Sequence, residues 1–128
     1  MSGFRVRRDA LPDNALVVVR GGLLESERLR RDATMAFVRF GEYGISVLAV
    51  ADEAALDVIA RTTLVQESVL TMMTVGAIRA NDLELRPTFR RPHYTVILPD
   101  LNADLLRLIA CENVVRDNPH YQSPEARP

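Results

Sequence analysis

The chain has 128 residues, is 48% hydrophobic and 26% charged, and carries a net charge of −1. That is enough for one domain with a real core, and the charge is too balanced for a uniformly basic nucleic-acid footprint. All 16 basic side chains are arginine, which excludes mechanisms built on lysine, whether a Schiff base or a phosphate-binding P-loop.

In chain order, Phe4 to Arg8 alternates apolar and basic residues and reads as an edge strand. Leu11 to Asn14 is a turn signal, and Ala15 to Val19 is a continuous apolar run that suits a strand buried on both faces. Arg20 ends that strand, and Gly21 with Gly22 permits a tight turn. The clearest helix is Glu25 to Phe40, with Leu29, Ala33, Ala36, Phe37 and Phe40 on one face and Gly41 as its stop. Ile45 to Val50 is the next buried strand, and Ser46 is its only polar member. Asp52 caps a helix over Glu53 to Arg61, with Ala55, Leu56 and Ile59 facing inward.

Thr62 to Thr74 is ambiguous in type; its Val69 to Met73 core suits a strand, followed by a short helix from Val75 to Ala80. Leu83 and Leu85 alternate with Glu84 and Arg86 as in a half-buried strand, and Tyr94 to Leu98 has the β-rich composition of a central one. Asp100 or Asn102 caps a last helix carrying Leu101, Leu105, Leu108, Ile109 and Glu112 at helical spacing, with Cys111 inside it as a packed thiol. The class is α+β, with α/β as the alternative: a single mixed sheet with helices packed on it. One domain covers residues 1–117, and 118–128, rich in Asn118, Pro119, Pro124 and Pro128, reads as a mobile tail. No apolar run reaches membrane-spanning length and Met1 to Arg5 lacks a signal-peptide stretch, so the expectation is a cytoplasmic protein without membrane contact.

The single cysteine, Cys111, rules out an internal disulfide, and with only two histidines, His93 and His120, the composition disfavours a protein-built zinc site. The densest polar group is Arg86, Arg90 and Arg91 with His93, on a connection stiffened by Pro87 and Pro92. Arginine forks suit phosphate or carboxylate, and His93 can act as acid, base or electrostatic partner. The competing interpretation is a solvated loop whose arginines pair with Glu84, Asp100 or Asp104. Arg20, at a strand end, can reach a crevice and hold a phosphate or pair with a carboxylate. Gly41 to Ser46 lets the backbone approach a ligand, with Tyr43 able to stack and Ser46 to hydrogen-bond; Tyr94 is assigned to the ligand side as well. No glycine-rich dinucleotide fingerprint is present.

The order Arg20, then Gly44, Ile45 and Ser46, then the helix from Asp52 to Arg61, resembles ADP-ribosyltransferase-fold proteins, nearest to the small RES-type toxins of bacterial toxin–antitoxin pairs. The match covers Leu16 to Arg61. In that family an early arginine, an aromatic, a glutamate and a serine handle NAD, which carries over to Arg20, Tyr43 and Ser46 here; Glu53, Glu67 and Glu84 compete for the glutamate. The resemblance implies NAD as cofactor or substrate and a cognate antitoxin as partner. The resulting expectation is a small bacterial toxin-like domain that binds a phosphate-bearing small molecule or RNA. Arg20, Ser46 and His93 would be catalytic, and Tyr43, Arg86, Arg90, Arg91 and Tyr94 would bind ligand. The alternatives are an RNase-type toxin using His93 and a non-enzymatic antitoxin, immunity or assembly module; the oligomeric state is open.

Overall fold

The apolar run before Arg20 forms β1 (Leu16–Val19) at the middle of a six-stranded sheet in a computed structural model that describes residues 11–123. The other elements are α1 (Ser26–Phe40), β2 (Gly44–Val50), α2 (Glu53–Arg61), β3 (Val69–Thr74), α3 (Val75–Ala80), β4 (Glu84–Pro87), β5 (His93–Ile97), α4 (Leu101–Ala110) and β6 (Val114–Asp117). The strand order is β4-β5-β2-β1-β3-β6. The expected strand over Phe4 to Arg8 lies outside the described residues. Among those residues no helix is long and apolar enough to cross a membrane.

The α+β class and the single sheet with packed helices are as expected, but the sheet is antiparallel at every pairing rather than mixed. Helices between strands read as parallel crossovers, yet β2 starts beside the end of β1, where Val19 pairs with Val47. Hydrophobic periodicity fixes what an element buries and is silent about its direction.

Each strand alternates its side chains between two apolar layers. On the first face Val17, Val19, Ile45, Val47, Met73, Tyr94 and Val96 pack with Leu29 and Ala33 of α1, Ile78 of α3, and Leu105 and Leu108 of α4. On the second, Val18, Leu48, Val50, Leu70 and Met72 pack with Leu56, Ile59 and Ala60 of α2 and with Leu64 beyond it. The helix starts follow the expected chemistry: the Asp52, Thr74 and Asp100 side chains accept from the backbone N–H groups of Ala55, Ala77 and Ala103. Gly41 closes α1 at φ 80, donating its N–H to the Phe37 carbonyl.

Several boundaries differ. Phe37 is 46% exposed and stacks on Tyr43 at 4.6 Å instead of packing on the sheet, because Leu29 and Ala33 already fill the inward stripe. The last helix stops at Ala110, and Cys111 is its C-cap rather than a mid-helix residue. The thiol is buried and donates to the Arg107 carbonyl at 3.4 Å; burial pushes its pKa up, as befits a packed thiol. The strand β6 has no counterpart in the sequence expectation, and residues of the expected tail from Asn118 on make hydrogen bonds to the domain. The Asn118 backbone N–H donates to Ser68, its side-chain amide to the carbonyls of Ala60 and Leu64, and Gln122 N–H donates to Val65.

Candidate functional site

The sheet register builds a polar row across the second face, at the margin of the layer under α2. Arg86 pairs with Thr95, Thr95 pairs with Ser46, and Arg20 donates its backbone N–H to the Ser46 carbonyl at 3.3 Å. Residues opposite one another in an antiparallel pair share a face, so Arg86, Thr95 and Ser46 line up on it, with Arg20 just beyond the end of β1. Ser46 is the one exposed member of an otherwise buried β2.

The connection between β4 and β5 folds back onto this row. Thr88, fully buried, places its hydroxyl 2.8 Å from Thr95 Oγ1 and 2.8 Å from His93 Nδ1. The other ring nitrogen, Nε2, lies 3.2 Å from Ser46 Oγ. The backbone supports the fold-back: His93 N–H donates to the Arg90 carbonyl at 2.7 Å, and Ala49 N–H to the Pro92 carbonyl at 2.9 Å. Phe89 sits at φ 55, a left-handed conformation unfavourable for a bulky residue. Its ring is held between Phe40 at 5.4 Å and His93 at 5.0 Å. Strain of this kind persists where the surroundings over-determine it, and such places cluster at functional sites.

Ser46 also borders a cleft of 260 Å³ lined by Arg20, Asp32, Met35, Arg39 and Phe40. The turn after β1 fixes how Arg20 enters it. Gly21 and Gly22 both take φ 93, and a Cβ on Gly21 would lie 2.4 Å from the Arg28 guanidinium. That guanidinium donates to the carbonyls of Arg20 and Leu23 and to Asp32, while Gly21 N–H donates to Glu67. Asp32 is thereby engaged by Arg28, and the cleft keeps Arg20 and Arg39 as its lining cations.

The structure therefore brings Ser46 and His93 into hydrogen-bond contact and sets Arg20 in the same cleft as Ser46. The other expected site residues stand in different settings. Tyr94 is 3% exposed and belongs to the core of the first face, because strand alternation turns it away from His93 and Thr95. Its side chain is packed in the core, on the opposite face of the sheet from Ser46. Tyr43 lines a different hollow with Phe37, Glu42 and Pro99. Arg86 is engaged by Glu84 through two hydrogen bonds and by Glu42 at 2.9 Å, and these carboxylates raise its pKa. Arg90 and Arg91 are exposed on the folded-back connection. Arg39, Phe40, Thr88, Phe89 and Thr95 were not singled out from the sequence. Thr95 was accessible to it, since two-residue alternation puts 93 and 95 on one face.

These placements separate the arginines by role. Arg90→Ala with Arg91→Ala should leave the melting temperature nearly unchanged, because exposed charges contribute only ~0–1 kcal/mol. The same double change should weaken binding of an anion and flatten its salt dependence. Arg86→Ala should do the reverse, lowering stability by roughly 1–3 kcal/mol, since it strips a partly buried network of its cation. Thermal melts and salt-titrated binding of the two variants side by side decide this, and a swap of the two outcomes would move the anion contact to Arg86.

No family model matches the chain, and neither a curated protein nor a solved structure is significantly similar to it.

Proposed function

We propose that this chain binds a phosphate-bearing ligand in the Arg20–Arg39 cleft, with Ser46 and His93 as its chemically active pair. The observation that carries this is the double membership of Ser46, which lines the cleft with Arg20 and is hydrogen-bonded to His93. Guanidinium groups on a cleft margin suit phosphate oxygens better than any other abundant anion except carboxylate. A histidine tied inward through Thr88 is a preorganised acid–base group, which favours a small toxin-like enzyme over an antitoxin, immunity or assembly module. Among the described residues lining the cleft the acidic one is Asp32, and Glu67 accepts from the Gly21 N–H next to Arg20, so an NAD-directed activity of the RES type would rest on Arg20 and Ser46 with one of these carboxylates.

Isothermal titration calorimetry at low salt tests the proposal with inorganic phosphate, AMP, NAD and a short oligoribonucleotide. At least one of these should bind saturably, with affinity falling as salt rises. AMP tighter than phosphate points to a nucleotide pocket, and the oligoribonucleotide tightest of all points to the ribonuclease alternative. No saturable heat with any of them would overturn the proposal.

A further inference from the structure

We infer that Ser46 is a nucleophile that forms a covalent bond to phosphorus during turnover, an inference that deepens the phosphate-site reading and rests on it. The geometry is the one general to activated nucleophiles: a hydroxyl within reach of a base, and the base held by a third group. Ser46 Oγ is 3.2 Å from His93 Nε2, and Nδ1 is 2.8 Å from Thr88 Oγ1, whose second partner is Thr95 Oγ1 at 2.8 Å. A neutral imidazole satisfies all three contacts at once when Nδ1–H donates to Thr88 and the Thr88 hydroxyl donates to Thr95. Nε2 is then the acceptor, and the Ser46 hydroxyl donates to it. That tautomer is the one in which His93 can take the Ser46 proton.

Three further features fit attack on a phosphate ester. Ser46 is exposed while Thr88 and Thr95 are buried, so the reactive hydroxyl is open to an incoming ester and the orienting end is shielded from water. Arg20 and Arg39 line the same cleft and can take charge on the non-bridging oxygens as it develops. The orienting group is a neutral threonine pair, which fixes the ring without adding a charge.

In the step, the Ser46 Oγ–phosphorus bond forms and the bond from phosphorus to the leaving alcohol oxygen breaks. His93 Nε2 takes the Ser46 proton and passes it to that alcohol. Water then attacks phosphorus, gives a proton to Nε2, and the Ser46 Oγ–phosphorus bond breaks as Oγ recovers a proton from the ring. Thr88 acts as a positioning residue throughout.

A fluorophosphonate probe tests this on the full chain, with fluoride as the leaving group and intact-mass and peptide mass spectrometry as the readout. One adduct is expected, on Ser46, absent in Ser46→Ala and slowed by about 100-fold or more in His93→Gln. Thr88→Val should slow labelling and move its pH–rate profile, and Thr88→Ser should restore both, which a purely structural role would not do. Circular dichroism melts confirm that each variant is folded, and the Thr88 pair decides the matter if His93→Gln is not. Absence of an adduct on Ser46, or equal labelling of Ser26 and Ser68, overturns the nucleophile. If phosphate or AMP still binds in the calorimeter, the binding site survives that failure; if neither binds, both fall together.

Discussion

Leu105→Ala should lower the unfolding free energy by ~2–5 kcal/mol, the range for truncating a large aliphatic side chain inside a packed core. Leu105 is 1% exposed and belongs to the layer where α4 meets α1 and the first face of the sheet. Its chain neighbour Leu106 is 67% exposed, so Leu106→Ala should stay within ~0.5 kcal/mol of the parent. Chemical denaturation of the two variants with a shared slope measures the contrast. Equal losses would mean that α4 is rotated relative to the first face of the sheet, so that Leu105 is not the residue it buries there.

Arg20→Ala should weaken phosphate-ligand binding by about 10- to 150-fold, the equivalent of ~1.5–3 kcal/mol for a charged hydrogen-bonded contact. Its melting temperature should hardly move, because Arg20 is exposed and packs into neither apolar layer. Arg28→Ala should reproduce part of the binding defect without touching the ligand. Its guanidinium holds the carbonyls of Arg20 and Leu23 and the carboxylate of Asp32, so its loss frees both the turn and an acidic neighbour. Binding that is indifferent to Arg20 would place the anion contact elsewhere on the molecule.

The elements that organise the sheet were legible because each carries a long enough signal. The apolar run of β1, the seven residues of β2 and the α1 stripe of Leu29 and Ala33 leave little choice of period. β6 is four residues, exposed throughout, at the edge of the sheet, and two valines followed by Arg116 and Asp117 make no periodic pattern. It is held from outside its own sequence, by pairing to β3 and by the Arg116–Glu53 ion pair. The anchoring of Asn118 is a similar case, since an amide reads as a turn residue until two carbonyls at the end of α2 are placed beside it.

The candidate site divides in the same way. Ser46, His93 and Arg20 each stood out alone: a hydroxyl in an apolar strand, a histidine on a proline-bounded connection, a charge at a strand end. What joins Ser46 to His93 is the β2–β5 register, in which Ser46 faces Thr95 and Leu48 faces His93, and register is a property of two strands together. Tyr94 drew attention by its chemistry, while its parity in β5 puts it in the core of the opposite face. Arg86 drew attention as a cation, yet its charge is met by Glu84 in the same strand and Glu42 from before β2.

The chain's two histidines make the central claim directly measurable. His93 sits against Ser46, while His120 is tied to Asp57 at 2.7 Å on the far side of α2, where its hydrogen bond holds the Asp57 carboxyl below its ordinary value. Proton–carbon correlation spectra of the imidazole Cε1–H groups report both rings during a titration with AMP or inorganic phosphate. The expected result is a saturable shift of the His93 signal, absent in Arg20→Ala, with the His120 signal unmoved. Equal movement of both signals, or none in either at saturating ligand, would contradict a phosphate site at Arg20, Ser46 and His93.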